Sequence, residues 1–149
     1  MNDQSSKPLV PLVFWAVSIV SLLWNSYGGY DYVMTKTDPI NYMQSMGISQ
    51  QSIDYTIALP AWLTVFWALG VWGSIAGSIL LLLRSRHAVK AFIVSFVGLA
   101  VSQLCQFFGG DMPAEMKQTP MLVMAAAIWA ALLFFIWYSR RALASGILR

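Results

Sequence analysis

Four apolar segments, each close to 20 residues long, dominate the 149-residue chain; they run over 9–30, 60–83, 88–108 and 120–138. A helix of about 20 residues crosses the roughly 30 Å of hydrocarbon in a bilayer, at about 1.5 Å per residue. Backbone groups in lipid must be hydrogen-bonded internally, and segments of this length do so as helices. The sequence therefore predicts an all-α fold, a four-helix transmembrane bundle forming one integral-membrane domain over 1–149.

The composition excludes several classes of protein. Only 10 % of the residues are charged, against about 25 % in an ordinary soluble domain. The chain has a single cysteine, Cys105, and a single histidine, His87, so an intrachain disulfide, a cysteine-based metal site and a histidine triad are all excluded. Neither a phosphate-binding loop nor a nucleophile–base pair is evident. We expect no enzyme, no cofactor and no metal.

The lysines and arginines predict the orientation. Seven of them fall on one side of the predicted bundle and two on the other, and the richer side is expected to be cytoplasmic, with both termini. The seven are Lys7, Arg84, Arg86, Lys90, Arg140, Arg141 and Arg149, and the two are Lys36 and Lys117. These cations are scattered over span ends, so we expect no nucleic-acid partner. Contact with anionic lipid headgroups is expected at Arg84, Arg86, Lys90, Arg140 and Arg141.

The longest segment between spans is a predicted external loop over 35–56. It is expected to hold a short interfacial helix over Pro39–Met46, ended by Gly47. The glycine pair Gly28-Gly29 is expected to end the first transmembrane helix, which would leave Asp31 at the external interface.

A few polar side chains in or near the spans are candidates for binding a solute. Amides carry donors and acceptors that need partners, and facing lipid would be costly. One hypothesis is that these groups only join helices. The other is an outward-facing cleft for a small polar solute such as a sugar, with tryptophan supplying a flat apolar face. The candidate residues are Asn25, Asp31, Trp62, Gln103 and Gln106.

A row of small residues on the second predicted span is a candidate helix-packing surface. Gly73 and Gly77 form a GxxxG pattern, and Gly70 extends the row. Small residues let helix backbones approach closely where no hydrophobic force drives association. The row predicts either packing within the bundle or a homodimer seam.

Three stretches carry a resemblance to a family: "LLWNSYGGYDYVMT", "PAWLTVFWALGVWGSIAGSILLLLRSRHAV" and "YSRRALASGILR". The chain resembles small four-span inner-membrane proteins of proteobacteria, some of which carry an automatic label of sugar transporter. The resemblance implies a four-span fold, the bacterial inner membrane and, through that label, transport. It supplies no catalytic or binding residues.

Two functions follow as hypotheses. The first is a transport-type protein with the outward cleft, which would need a dimer because four helices rarely enclose a full pathway. The second is a non-catalytic scaffold or accessory subunit that binds another membrane protein. The partners expected are the lipid bilayer, a second copy or another membrane protein, and a small polar solute.

Overall fold

In the computed structural model, which describes residues 9–149, all regular structure in that range is helical. Lys7, which entered the orientation count, lies outside the described residues. The elements are α1 (Leu12–Thr37), α2 (Pro39–Ser45), α3 (Gln50–Ile57), α4 (Ala61–Leu82), α5 (His87–Phe108), a 3₁₀ turn (Ala114–Lys117) and α6 (Thr119–Ala144).

Four of these helices are long and apolar enough to cross a membrane. α1 and α6 have 26 residues each, and α4 and α5 have 22 each. An apolar stretch of 18 residues in each has a mean hydropathy of 1.3 in α1, 1.9 in α4, 1.8 in α5 and 2.2 in α6. The predictions of an all-helical fold and of four long apolar helices are confirmed.

Neighbouring long helices pack side by side, α1 on α4, α4 on α5 and α5 on α6. The chain reverses direction between neighbours, so the bundle has two distinct ends. We call one the loop end, because it carries α2, α3 and the 3₁₀ turn. We call the other the arginine end, because it carries Arg84, Arg86, Arg140 and Arg141. An apolar core near the arginine end includes stacked Phe92 and Phe135, with ring centroids 5.8 Å apart.

The closest helix contact is between α4 and α5. A Cβ atom added to Gly98 would lie 2.6 Å from the backbone nitrogen of Gly70 and 2.7 Å from the carbonyl oxygen of Phe66. The Ser95 hydroxyl donates to the Gly70 carbonyl oxygen at 2.5 Å. Only glycine at 98 leaves room for these backbones, and the resulting contact is of the kind that holds helices together in lipid.

The rest of the glycine row also faces α5. A Cβ at Gly73 would lie 3.1 Å from the backbone of Ser95, and a Cβ at Gly77 would lie 2.7 Å from the ring of Phe92. In the structure Gly70, Gly73 and Gly77 therefore form the α4 side of the α4–α5 contact.

The prediction that Gly28-Gly29 ends the first helix is wrong. α1 continues for eight residues beyond Gly29, to Thr37. A Cβ at Gly29 would lie 2.7 Å from Cδ1 of Ile75, so this glycine admits an α4 side chain. Glycine is common within membrane helices. The helix ends where Asp38 precedes Pro39, since a residue before proline disfavours helical backbone angles.

The segment between α1 and α4 contains two helices where the sequence predicted one. α2 covers Pro39–Ser45, and Gly47 follows it with φ of 76°. The second helix, α3, begins after Ser49, whose hydroxyl accepts a hydrogen bond from the backbone N–H of Ser52. That serine is a standard N-cap signal, and the sequence prediction missed it.

The α4–α5 contact predicts that a glycine substitution within it destabilises the protein, whereas one outside it does not. Gly98→Ala should lower the free energy of unfolding by about 1–3 kcal/mol, because the new methyl group meets backbone atoms that cannot turn aside. Gly28→Ala is the matched control, since a Cβ there has nothing within 4 Å. It should be neutral or stabilising by up to about 1 kcal/mol, because alanine favours helix. Unfolding in detergent measures both, and equal effects would contradict the packing described.

Candidate functional site

Asn25 lies between α1 and α4 and belongs to a small buried polar cluster. Its Nδ2 donates to the Ser78 hydroxyl at 2.9 Å and to the Ser74 carbonyl oxygen at 3.4 Å. The hydroxyls of Ser21 and Ser78 are hydrogen-bonded at 2.7 Å. We call Ser21, Asn25, Ser74 and Ser78 the Ser–Asn cluster. All four residues are buried, and the cluster joins α1 to α4.

The Ser–Asn cluster lies within the apolar length of both helices. Its hydroxyls also bond within their own helix, as when Ser78 donates to the Ser74 carbonyl oxygen at 2.9 Å. Polar groups in hydrocarbon need protein partners because no water is there to replace them. The amide of Asn25 has those partners on α4, so its position is explained by helix association.

The two glutamines of α5 have separate partners. Gln103 accepts a hydrogen bond from the indole N–H of Trp129 at 2.5 Å, which joins α5 to α6. The Gln106 amide donates to the carbonyl oxygen and the hydroxyl of Ser102, at 3.1 and 3.2 Å, within α5 itself. Neither amide contacts the Ser–Asn cluster through these bonds.

Asp31 and Trp62 lie towards the loop end. The Tyr42 hydroxyl donates to an Asp31 carboxylate oxygen at 2.9 Å, which fastens α2 against α1. Burial, followed by the bond to Asp31, raises the pKa of the Tyr42 hydroxyl. Trp62 is 54 % exposed and packs edge-on against Phe66, with ring centroids 6.4 Å apart.

The predicted site residues are therefore distributed over different contacts. Asn25 binds α4, Gln103 binds α6, Asp31 binds α2 and Gln106 binds its own helix. Within residues 9–149 the structure does not bring them together around one cleft. Asn25 and Gln103 make the interhelical bonds that the helix-joining hypothesis requires.

Two open cavities lie elsewhere on the bundle. The first, which we call the α1–α6 groove, has a volume of about 270 Å³ and apolar walls. It is lined by Val20, Trp24, Ala127, Ala131, Phe134 and Phe135. The second, the α6 arginine groove, has a volume of about 440 Å³. It is lined by Leu133, Ile136, Trp137, Arg140 and Arg141.

A hydrogen-bond network at the loop end was not predicted from the sequence. Glu115, in the 3₁₀ turn, accepts hydrogen bonds from the hydroxyls of Ser49 and Ser52, the latter at 2.5 Å. It also accepts a hydrogen bond from the backbone N–H of Ser49 at 3.3 Å. The carboxylate thus sits at the N-terminus of α3, where a negative charge is stabilised. The partners are more than 60 residues apart in sequence, and no local pattern connects them.

Arg84 differs from the other cations of the arginine end. It adopts a left-handed backbone angle, φ of 57°, and its Nε donates to the Ile147 carbonyl oxygen at 3.0 Å. Backbone bonds of 2.8 Å join Arg84 and Arg86 to Arg149. Arg84 is therefore engaged by the C-terminal segment. Arg86, Lys90, Arg140 and Arg141 are exposed.

Comparison with known proteins gives no match to a family model, a curated protein or a solved structure.

The residues that the structure describes contain no group of three His, Cys, Asp or Glu side chains able to hold a metal ion.

The Ser–Asn cluster predicts energetic coupling across two helices. In a double-mutant cycle, Asn25→Ala and Ser78→Ala should show a coupling energy of about 0.6–1.7 kcal/mol, the range for hydrogen bonds between membrane helices. Ser26→Ala, on the neighbouring exposed residue, should show no coupling to Ser78→Ala. Unfolding in detergent measures both cycles. A coupling near zero for Asn25 and Ser78 would show that their contact does not join the helices.

The Glu115 network predicts a pH-dependent contribution to stability. Hydrogen bonds from Ser49, then Ser52, lower the pKa of Glu115 from its ordinary value of 4.5, with burial opposing them. A lowered folded-state pKa gives stabilisation that is present above the ordinary value and is lost as the pH falls through the lowered one. The melting temperature of Glu115→Gln should therefore lie below wild type at pH 7, with the difference shrinking in acid.

The matched control for Glu115 is Asp111→Asn, which removes an exposed acid from the same connection. Its melting temperature should keep the acid dependence of the wild type. A gap between wild type and Glu115→Gln that stays constant from pH 7 to pH 3 would contradict the role of the charge.

Proposed function

We propose that this is a four-span protein of the bacterial inner membrane, with both termini in the cytoplasm. It works without catalysis, as an accessory subunit that binds another membrane protein along α6. Of the two functions predicted from sequence, this is the one that the hydrogen bonds and the helix packing favour.

The orientation is supported by the separation of charge along the bundle. Within residues 9–149, the acidic side chains all lie on the loop-end half, from Asp31 in the last turns of α1 onwards. The arginine end holds cations only. The end richer in lysine and arginine faces the cytoplasm in membrane proteins, and six of the described lysines and arginines lie at the arginine end against two at the loop end. The acidic residues are Asp31, Asp38, Asp54, Asp111 and Glu115.

The partners of the amides favour the accessory function over a solute cleft. A solute site needs donors and acceptors that are free to bind a ligand. Asn25 and Gln103 are engaged by α4 and α6, and the walls of the α1–α6 groove carry no amide or charged group.

The exposure of α6 is the observation that carries the proposal. The apolar 18-residue stretch of α6 has the highest mean hydropathy among the four long helices, 2.2, yet only 11 % of that stretch is buried, against 22–28 % in the others. Its half nearer the loop end exposes Ala126, Ala127 and Ala130. These small residues permit the close helix approach that drives association in lipid, and lipid chains gain nothing from them.

The α1–α6 groove borders this surface. Ala127 and Ala131 line it together with Trp24 and Phe134, so small residues lie beside two large rings. A partner helix docked on Ala126 and Ala130 would place its side chains against that groove. The glycine row of α4 is already occupied by α5, which leaves α6 as the surface of small residues open to a partner.

Site-specific photocrosslinking in bacterial membranes tests the proposal. A photoreactive amino acid at Ala126 or Ala130 should give one discrete heterologous product. The same group at Val94 or Val97 of α5, which are 45 % and 47 % exposed, should give only lipid adducts. Equal products at all four positions would contradict a specific surface on α6, and a product of twice the chain's mass would show a second copy there instead.

A thermal-shift screen against sugars and polyols separates the two functions. The accessory function predicts no shift with any solute class. A shift that one class produces, and that Asn25→Ala abolishes, would support the transport-type protein. A ligand at about 100 times its dissociation constant stabilises by about 2.7 kcal/mol, which is readily detected.

A further inference from the structure

We infer that the arginine end of α6 is a binding site for an anionic phospholipid. Its headgroup phosphate lies at Arg140 and Arg141, and its acyl chain lies along Trp137 and Leu133. The inference rests on the proposed membrane placement of α6, and it does not depend on the protein partner.

The α6 arginine groove has the shape of a strip along one helix. Leu133, Trp137 and Arg141 are spaced four residues apart, so they lie one above another on the same face. Ile136 and Arg140 form the adjacent row. Leu133 is 50 % exposed and Trp137 is 53 % exposed, and the groove they line has a volume of about 440 Å³. One end of the strip is apolar and the other is doubly cationic.

The length of α6 places this strip at one face of a bilayer. Arg140 follows Thr119 by 21 residues, or about 32 Å at 1.5 Å per residue, which matches the roughly 30 Å of hydrocarbon. With Thr119 at one interface, Arg140 and Arg141 reach the other at headgroup depth. Trp137 then lies in the interfacial belt, and Leu133 lies about 6 Å deeper than Trp137, among acyl chains.

The charge of the arginine end fits an anion. In the described part of the chain this end has six cations and no carboxylate side chain, so Arg140 and Arg141 have no acidic group beside them. The Arg141 guanidinium lies 5.6 Å from the centroid of the Trp137 ring, which orients its charge. Guanidinium groups bind phosphate in a bidentate geometry, through two parallel N–H···O hydrogen bonds. The cations are Arg84, Arg86, Lys90, Arg140, Arg141 and Arg149.

An anionic lipid fits both halves of this strip, whereas a soluble anion fits only one. Free phosphate would contact the arginines and leave Trp137 and Leu133 uncovered. A neutral lipid would cover the apolar half without compensating the two charges. The strip therefore favours phosphatidylglycerol over phosphatidylcholine.

Native mass spectrometry of the purified protein in mild detergent, with each of these two lipids added, tests the inference. The wild type should retain phosphatidylglycerol in preference to phosphatidylcholine. The variant with Arg140→Gln and Arg141→Gln should lose at least about tenfold in apparent affinity for phosphatidylglycerol, since each basic side chain near a headgroup contributes to binding. Trp137→Ala should weaken the binding of both lipids.

The matched control carries Arg86→Gln and Lys90→Gln, which remove the same charge from the same end outside the groove. This control should lose much less affinity for phosphatidylglycerol than the Arg140/Arg141 variant, because Arg86 and Lys90 do not line the groove. An equal loss in both double variants would overturn the site in favour of diffuse attraction, as would a wild type with no preference. Displacement of phosphatidylglycerol by millimolar inorganic phosphate would also overturn it.

Alkaline extraction of membranes distinguishes failure of the site from failure of the membrane placement. A protein that remains in the membrane pellet but shows no lipid preference would overturn the lipid site alone. A protein released into the supernatant would overturn the proposed four-span placement as well.

Discussion

The close approach of α4 and α5 is the contact on which the bundle depends. Lipid surrounds apolar side chains as well as a protein core does, so helices in a membrane gain little from burying them and must gain from backbone proximity and hydrogen bonds. Gly98 opposite Gly70 supplies the proximity, and the Ser95 hydroxyl on the Gly70 carbonyl supplies the bond. With this pair fixed, α1 packs on the free side of α4 and α6 packs on α5.

The outer helices α1 and α6 are attached to the central α4–α5 pair to different extents, α1 more firmly than α6. α1 is attached to α4 by the Ser–Asn cluster and by Ile75 entering the space at Gly29. α6 is attached to α5 mainly in its arginine-end half, together with the Gln103–Trp129 bond, and there Tyr138 also stacks on Phe14 of α1. The loop-end half of α6 is apolar and largely exposed. Such a gradient suits a subunit whose inner helices maintain the fold while the outermost one meets partners and lipids.

The sequence predicts those parts of the fold that depend on local properties. Length and apolarity alone give the four long helices, and Pro39 correctly begins α2. The error at Gly28-Gly29 arose because glycine ends helices in water but serves close packing in lipid, and one sequence does not say which applies. The Glu115 bonds to Ser49 and Ser52 were beyond reach, since they join segments more than 60 residues apart.

In the candidate site too, local properties could be predicted from the sequence, and the contact partners could not. Sequence reasoning could tell that Asn25 and Gln103 need hydrogen-bond partners, because an unpaired amide in hydrocarbon is costly. It could not tell that Ser78 and Trp129 are those partners. Many arrangements of four helices would satisfy the amides, and only the three-dimensional packing selects one. The same limit applies to Gly73 and Gly77, whose small size permits a close contact without specifying with which helix.

Polar side chains within the spans join helices and, we infer, do not line a water-filled cleft. Substituted-cysteine accessibility tests it most directly. In a Cys105→Ser background, which removes the exposed native thiol, Asn25→Cys and Ser74→Cys would be treated in membranes with a hydrophilic, membrane-impermeant thiol reagent. Gln51→Cys, at an exposed position of α3, would be the positive control. We predict rapid labelling at residue 51 and none at residue 25 or 74. Labelling of residue 25 or 74 by the impermeant reagent would contradict the helix-joining role and support an outward-facing cleft.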